Sequence, residues 1–525
     1  MAPPRQEFSE TGRGAPPVPD VWRLSPRSIA VRLFITCWLV YGMFFATNIV
    51  REHYLAMSIG DQLSFRLDDY GGLHPDLFEK EGYGWHIGNN PGGSMVGAIP
   101  YGIARPVIDT IVQRVLAGRE ARGETMPPSY DSPQPIRRAF YAETWRRGFD
   151  VKFGLAALVM QLLAMAPLSA LGVVLMFLAM RHVTGSDRTA LVMALVYAFA
   201  TPVFYRTGFL NHNLMMAHAA FFGFLALWNP AGSDRWGDRE RVFAAGLAGG
   251  TCVLLDYSGV IALAGLFVYA FAATIRGTGL RGILRGSTWY GLGAALPILL
   301  LWFYQWRSFG NPFFPGQHWM PAVEWSDRGY QGYGFPQLEL LWSLLVDHKY
   351  GLFVSCPLFL LALAYPLVAR RGPSGLPKRE AVAAALLTIG FWVFFAGSNY
   401  TQLQWNTGIR YLAPVFPFLF LLCAVVLMRM RRPTAYFWIS LSGVVTVSMC
   451  MYRNVANDLG VLDPIVRTFI GGFQLPALLT MSRVGDAYGS WTTHGIVSPF
   501  AAFALLAVCL YGLWSARLWP TGADV

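Results

Sequence analysis

Charged residues are scarce in this sequence. They make up 14% of the 525 residues, against 54% hydrophobic residues and a mean hydropathy of +0.40. A soluble chain of this length could not bury so much apolar surface in one core, which excludes an ordinary soluble fold. The formal charge of +11 is carried by short basic clusters between apolar runs, without the aromatic spacing of a base-stacking surface. We therefore expect the lipid bilayer, and no nucleic acid, as a partner.

Cysteine is scarce too, and its six residues all lie inside apolar runs. This placement argues against a disulfide framework and against a CxxC metal site. The polar, proline-rich N-terminus shows no cleavage-site pattern behind a short apolar core, so we expect the first apolar run to remain as an anchor. Lysine is rare relative to arginine, which is typical of a GC-rich bacterial genome. The expected location is therefore the bacterial plasma (inner) membrane.

A membrane-spanning helix needs about 20 mostly apolar residues. Twelve candidates follow one another, near residues 29–50, 153–180, 189–206, 211–228, 242–256, 258–275, 287–306, 351–369, 381–397, 408–428, 434–452 and 496–515. With a cytoplasmic N-terminus, the short basic loops all fall inside, as the positive-inside rule requires. The stretch 94–112 carries Arg105, Pro106 and Asp109 in its middle, and we interpret it as an interfacial amphipathic helix.

The sequence thus predicts an all-α polytopic membrane protein of about 12 transmembrane helices, whose long first extracytoplasmic loop carries interfacial helices. The long loops, at residues 51–152, 307–350 and 453–495, all fall outside. Their tryptophans and their Pro and Gly residues indicate folded structure rather than disorder. Any chemistry is therefore expected to face the extracytoplasmic side.

Several motifs occur along the outer parts of the chain in a characteristic order. Glu52, Tyr54 and "GD" at 60–61 are followed by "NNPGGSMVGAIPY" (89–101), "FLNHNLMMAHAA" (209–220), "FGNPFFPGQHW" (309–319), "HKYGLFVSCPLFLLAL" (348–363) and "GIRYLAPVFPFLFLL" (408–422). This series resembles the GT-C-fold membrane glycosyltransferases, which include the lipid A aminoarabinose transferases and the protein O-mannosyltransferases. The resemblance runs to about residue 425. It implies a GT-C-like catalytic region at 29–430, between a cytoplasmic tail at 1–28 and a C-terminal membrane region at 431–525.

The resemblance implies transfer of a sugar from a polyprenyl-phosphate-linked donor to an extracytoplasmic glycan, lipid or protein. Sugar nucleotides are confined to the cytoplasm, so an outward-facing transferase needs a donor that a lipid carries through the bilayer. A single displacement with one base predicts inversion. The alternatives are a polytopic transporter or lipid flippase, and a non-catalytic subunit of an envelope-assembly complex. Helix centres almost clear of ionisable residues favour a surface site over a carrier's path.

Glu52 is the predicted catalytic base, since a carboxyl group partly desolvated at the end of a span can have a raised pKa. Its alternative is an interface anchor paired with Arg51 or His53. Asp61 competes for the catalytic role, although an Asp after Gly is more often a turn or cap residue. The relatives usually carry Asp after the first span, and some carry a second acid where this sequence has Asn-His-Asn at 211–213. This departure argues against a bound metal and leaves a divalent cation, Mg²⁺ or Mn²⁺, as the one open cofactor.

The leaving phosphate needs cations, and three candidates lie at outer helix ends: Arg410, Lys349 and Arg206. We predict Arg410 as the main phosphate ligand, with a salt bridge to Asp256 or Glu52 as its alternative, while Lys349 can instead snorkel. Candidate substrate contacts, each with an alternative as a packing, cap, turn or surface residue, are Tyr54, Asn89, Asn90, His212 and His318.

Overall fold

The computed structural model describes residues 24–127, 135–230, 232, 235–275, 279–372, 375–404, 408–484 and 498–516. Most of the predicted cytoplasmic tail and part of the last outer loop lie outside these residues. The described chain is mostly helical, as predicted. The all-α prediction needs one correction, an antiparallel hairpin of two short strands, β1 (Leu77–Lys80) and β2 (Gly84–Ile87).

Each of the twelve predicted apolar runs contains helix. The α-helices of the described chain are, in order, α1 (Pro26–Met43), α2 (Arg51–Gln62), α3 (Gly92–Ala121), α4 (Pro135–Arg146), α5 (Phe149–Met160), α6 (Ala166–Thr184), α7 (Asp187–Phe199), α8 (Val203–Arg206), α9 (His212–Trp228), α10 (Asp238–Leu255), α11 (Val260–Ala270), α12 (Gly279–Phe309), α13 (Leu338–Val346), α14 (Leu352–Ser355), α15 (Tyr365–Arg370), α16 (Lys378–Phe395), α17 (Phe416–Arg429), α18 (Arg432–Met451), α19 (Leu462–Gly471), α20 (Pro476–Val484) and α21 (Phe500–Ser515). A π-helical turn, Gln161–Met165, joins α5 to α6.

Four helical segments of the described chain are long and apolar enough to cross a membrane by length and composition: Gly92–Ala121, Phe149–Thr184, Gly279–Phe309 and Arg432–Met451. This is the composition of a multi-pass membrane protein. Three of the four coincide with predicted spans, and the count of twelve spans stays a prediction. So does the domain division near residue 430, which falls between α17 and α18.

The fourth long segment is α3, which we predicted to lie at the membrane interface. Ile99, Ile103 and Val107 are exposed at intervals of four residues, so they share one face of the helix. An exposed apolar face of this kind is suited to contact with lipid. Its length also permits a crossing, a possibility that the sequence interpretation set aside.

The centre of the molecule is formed by α9 and α17, whose side chains are buried nearly all round. A helix that is apolar on every side is stable only when other helices surround it. Helix α10 packs between α9 and α12, and α2 packs against α3. As a result, the first residues of α9 and α2 and the last residues of α10 meet at one place.

The predicted outer loops are joined by the side chain of Lys80, at the end of β1. Its ammonium group lies 3.5 Å from the centre of the Trp319 ring and 4.5 Å from that of Tyr83, and it donates a hydrogen bond to the carbonyl of Phe309. Cation–π contacts of this kind are stabilising where the cation is partly desolvated. They connect the hairpin of the first outer loop to the loop that follows α12.

Candidate active site

A carboxylate, an imidazole and a second carboxylate lie in a row where α2, α9 and α10 meet. Glu52 Oε1 lies 2.5 Å from His212 Nδ1, and His212 Nε2 lies 3.6 Å from Asp256 Oδ2. The exposed fraction of the side chain is 6% for Glu52, 8% for His212 and 18% for Asp256. This acid–imidazole chain (Glu52, His212 and Asp256) is therefore most open at Asp256. An imidazole between two acids can orient both and hold a proton between them.

Three helix ends bring these groups together. Glu52 lies in the first turn of α2. Asn211 is the N-cap of α9, where its side-chain oxygen accepts a backbone N–H at 3.3 Å, so the capping role considered for His212 belongs to its neighbour. Asp256 follows the last residue of α10, and its Oδ1 accepts hydrogen bonds from Ser258 N–H at 2.9 Å and from Ser258 Oγ–H at 2.6 Å.

Two glycines at the start of α3 allow that helix to approach the acid–imidazole chain. A Cβ on Gly93 would lie 3.3 Å from the Cβ of His212 and 3.7 Å from the Cγ of Glu52. A Cβ on Gly92 would lie only 2.7 Å from the carbonyl oxygen of Leu254, next to the end of α10. The N-terminus of α3, whose dipole favours negative charge, thus lies against the Glu52 carboxylate.

The electrostatics of Glu52 correct an expectation from the sequence. Burial alone raises the pKa of Glu52, but the charge and hydrogen bond of His212, together with the charge of Arg51, outweigh burial and hold the pKa well below its usual range. We had expected a raised pKa, because the imidazole partner could not be foreseen. Arg51 Nε lies 3.7 Å from Glu52, so the anchoring contact considered for Glu52 is also present. A carboxylate held so firmly ionised is a weak base.

Arginine side chains gather beside the acid–imidazole chain. Arg206 lies within electrostatic range of Arg453, Arg410 and Glu52. The guanidinium carbons of Arg206 and Arg453 lie 5.0 and 4.8 Å from the centre of the same ring, that of Phe209. Like charges within electrostatic range of one another repel in a partly desolvated region, and an anion would relieve the repulsion. We refer to Arg206, Arg410 and Arg453 as the arginine cluster.

Arg453 was not among the residues that the sequence analysis selected. All three of its guanidinium nitrogens are buried and lack a hydrogen-bond partner in the part of the chain that the structure describes. Burial lowers the pKa of Arg453 to about 10, so the group remains charged at neutral pH. A buried charge without a partner is costly. The signal in the sequence was an arginine just after α18, on the side where the predicted topology places few cations.

Arg410, the predicted phosphate ligand, lies beside Tyr411, and its role stays a prediction. Its Nη2 donates to the Tyr411 hydroxyl at 3.0 Å, and its Nε is buried with no partner among the described residues. Within those residues no salt bridge joins Arg410 to Asp256 or Glu52, which was its alternative role. It lies instead within electrostatic range of Asp76, which pairs with Arg51 at 2.8 Å.

Two of the predicted site residues, Asp61 and Tyr54, make contacts away from the acid–imidazole chain. Asp61 accepts hydrogen bonds from the Tyr101 hydroxyl and the Lys152 ammonium, both at 2.8 Å. It is separated from Glu52 by about 14 Å along α2 at the usual helical rise. Tyr54 is buried, and its hydroxyl donates to a backbone carbonyl at 3.3 Å. The structure does not bring either residue to the acid–imidazole chain.

The other candidates lie at varying distances from the chain. Asn90 donates to a backbone carbonyl of α10 at 2.6 Å, while its buried Oδ1 has no partner among the described residues, and Asn89 beside it is half-buried. The carbonyl of Lys349 lies beside Gly408, next to the segment of Arg410. His318 lies in the outer loop, where its Nδ1 is 3.0 Å from a tyrosine hydroxyl and its ring stacks on a phenylalanine.

A groove of about 590 Å³ opens on the side of the molecule between α11 and α16. Its lining, which is almost entirely apolar, includes Ile261, Tyr333, Pro336, Leu386, Ile389 and Val393. Tyr333, which lines this lateral groove, lies within electrostatic range of Asp256 and of Tyr411. Tyr333 therefore links the lateral groove to the acid–imidazole chain and to the neighbour of Arg410.

The structure is similar to that of ArnT. The crystal structure of ArnT from Cupriavidus metallidurans in the apo state matches with a TM-score of 0.48 and 17% identity, over 93% of this chain and 75% of that chain. The same protein bound to undecaprenyl phosphate matches with a TM-score of 0.47 and 15% identity, over the same shares. No family model and no curated protein matches the chain. This similarity assigns no residue of this chain a role.

The side chains of the site do not form a metal-binding set. No group of three or more His, Cys, Asp or Glu residues placed to hold a metal ion occurs in the described chain. Both imidazole nitrogens of His212 already face carboxylate oxygens, which leaves neither for a cation. The divalent cation left open by the sequence stays a prediction.

Proposed function

We propose that this protein is an integral membrane glycosyltransferase that moves a sugar from a polyprenyl-phosphate-linked donor to an extracytoplasmic glycan, lipid or protein. One observation carries the proposal. Arg453 holds three buried guanidinium nitrogens that have no hydrogen-bond partner among the described residues, and it lies within electrostatic range of Arg206, which in turn lies within range of Glu52. Transfer from a phosphate requires a cation that can bind the phosphate beside a group that can accept a proton.

The chemistry assigns one task to each group. The acceptor hydroxyl attacks the anomeric carbon of the sugar and gives up its proton to a carboxylate of the acid–imidazole chain. The bond between that carbon and the phosphate oxygen breaks, and its electron pair leaves with the phosphate. Charge-assisted hydrogen bonds from the arginine cluster stabilise the negative charge that develops there. Attack from the face opposite the leaving group gives inversion.

The lateral groove supports a lipid-linked donor in particular. Leu386, Ile389 and Val393 of α16 expose large fractions of their side chains along it. A polyprenyl chain that lies against them could place its phosphate toward Tyr411 and Arg410, because Tyr333 lines the groove and lies within electrostatic range of Tyr411. A free sugar phosphate has no apolar chain that could pack against this apolar surface.

The binding test uses undecaprenyl phosphate as the probe and native mass spectrometry of the purified protein as the measurement. We expect Arg453→Gln to weaken binding by about 10-fold to 100-fold, the value of one lost charge-assisted contact. Arg307→Gln, which changes an exposed arginine at the end of α12, serves as the matched control and is expected to bind like the wild type. Equal affinity of wild type and Arg453→Gln would remove the main support for the proposal.

Transfer itself is tested with membranes that contain the protein and a set of radiolabelled polyprenyl-phosphate sugars. We expect the label to leave the lipid and appear in a new glycan, lipid or protein product. A flippase would instead move the label across the membrane while it stays attached to the polyprenyl phosphate. Lipid binding without either outcome would favour the non-catalytic subunit.

A further inference from the structure

Asp256 is the member of the acid–imidazole chain that is best placed to touch a substrate. We infer that Asp256, rather than Glu52, takes the proton from the acceptor hydroxyl, and that Glu52 acts through His212 as a positioning residue. The inference rests on the proposed glycosyl transfer and names its base. It changes the role that the sequence predicted for Glu52.

Among the described residues, the hydrogen bonds of Asp256 leave one of its oxygens available. Its Oδ1 is occupied by the backbone N–H and the hydroxyl of Ser258, which fix the orientation of the carboxylate. Its Oδ2 faces His212 Nε2 at 3.6 Å, which is longer than a hydrogen bond. An acceptor hydroxyl could therefore reach Oδ2 without displacing a hydrogen bond that the fold depends on.

Glu52, in contrast to Asp256, is less exposed and already has close partners. Its Oε1 lies 2.5 Å from His212 Nδ1 and 3.7 Å from Arg51 Nε, and its side chain is three times less exposed than that of Asp256. The positive groups around Glu52 lower its pKa, so it gains a proton less readily than an ordinary carboxylate. Such a residue is suited to hold the imidazole, and the imidazole in turn faces Asp256.

The surroundings of Asp256 place it beside the route that the donor would take. The titratable groups that face it are His212 from α9, the adjoining Tyr257 and Tyr333 from the outer loop. Tyr333 also lines the lateral groove. A sugar on a lipid in that groove would thus have its anomeric carbon near Asp256, whereas Glu52 lies behind the imidazole.

The proton transfer balances with the groups at hand. As the acceptor oxygen bonds to the anomeric carbon, its hydrogen passes to Asp256 Oδ2, and the carbon–phosphate oxygen bond breaks with its electron pair on the phosphate. Asp256 is then a neutral acid and returns the proton to water. His212 keeps its contacts to both carboxylates during the step, in which the acceptor and the lipid-linked sugar are the two substrates.

The test compares Asp256→Ala and Glu52→Gln in the transfer assay, with and without sodium azide. Azide is a nucleophile with no proton to lose, so it restores donor cleavage where the missing group is the base and yields a glycosyl azide. We expect each variant to lose about 10²-fold to 10⁴-fold in transfer, with rescue by azide in Asp256→Ala only. Glu79→Ala, an exposed acid of the outer hairpin, is the control for the substitution itself.

Undecaprenyl phosphate binding by the same variants shows whether each still forms the donor site, and unchanged binding is expected for Asp256→Ala. Full transfer by Asp256→Ala, or azide rescue of Glu52→Gln alone, would overturn the inference and return the base to Glu52, while the proposed function would stand. If wild-type membranes cleaved no polyprenyl-phosphate sugar at all, the proposed function would fail and the inference would fail with it.

Discussion

At the scale of single residues, buried histidines of the first outer loop make the protein sensitive to acid. Burial lowers the pKa of His53 to about 4, and burial also lowers the pKa of His74 and His86. The unfolded chain binds a proton near pH 6.5, whereas folded His53 stays neutral down to about pH 4. The stability contributed by neutral His53 is therefore full above pH 6.5 and is lost as the pH falls, by up to ~3 kcal/mol.

We expect His53→Asn to flatten part of this dependence. Asparagine keeps an acceptor for the Val50 N–H, which His53 Nδ1 accepts at 3.0 Å, but it does not titrate. The measurement is the melting temperature in detergent between pH 6.5 and pH 5. This window lies above the pH range in which Glu52 would gain a proton and lose its own contribution to stability. His182→Asn, at an exposed histidine, should follow the wild type. Identical slopes for wild type and His53→Asn would contradict the argument.

Single residues of the candidate active site could be predicted from the sequence, but their pairing could not. Arg410 was selected because a charge at the outer end of an apolar run is expensive and therefore informative, whereas Glu52 and His212 were selected on motifs of the GT-C resemblance. Their pairing was not visible, since the Glu52–His212 contact joins residues 160 positions apart. Arg453 and Asp256 carried the same signal, a lone charge beside an apolar run. They were passed over as candidates because no family motif covers them.

At the scale of the elements, the site depends on the close approach of α3 to the end of α10. The first glycine of α3 faces backbone rather than a flexible side chain, since a Cβ on Gly92 would lie 2.7 Å from the Leu254 carbonyl oxygen and 2.9 Å from its carbon. One of the two helices must move if a side chain is added there. Asp256 lies just beyond Leu254 and would move with it.

We therefore expect Gly92→Ala to reduce transfer by 10-fold or more, on the order of the cost of a small misplacement of reacting groups. Gly102→Ala is the matched control on the same helix, because a Cβ there would meet only the Cα of Gly60, at 3.9 Å. Both variants are compared in the transfer assay and in thermal melts. Equal activity of the two would mean that the α3 contact does not position the acid–imidazole chain.

Helices were the part of the fold that the sequence predicted best. Apolar runs bounded by arginine, proline or glycine coincide with helix in every predicted range, because a chain in lipid must satisfy its backbone hydrogen bonds internally. The β1–β2 hairpin was missed, since its strands have four residues each and lie between turns. The burial of α9 and α17 on all sides could not be read from hydropathy either, which is as high for a helix in lipid as for one in a protein core.

At the scale of the whole molecule, the proposals depend on the side of the membrane that the acid–imidazole chain faces. The long loops that surround it, including the hairpin and the segment after α12, pack together through Lys80 and Trp319. The basic loops at the opposite ends of the helices are short. By the positive-inside rule we expect those loops to be cytoplasmic and the site to face the extracytoplasmic side, where sugar nucleotides do not occur.

Cysteine labelling of intact cells tests this orientation directly. Of the cysteines in the described residues, Cys37, Cys252, Cys356, Cys423 and Cys450 are buried and Cys509 is exposed, so Cys509→Ser removes the accessible thiol. A cysteine is then placed at Glu81, on the hairpin tip, or at Lys378, at the start of α16, both exposed. A membrane-impermeant maleimide applied from outside should label Glu81→Cys and leave Lys378→Cys unlabelled until the cells are opened. Labelling in the reverse order would place the arginine cluster in the cytosol, where a donor carried across the bilayer by a lipid is not needed.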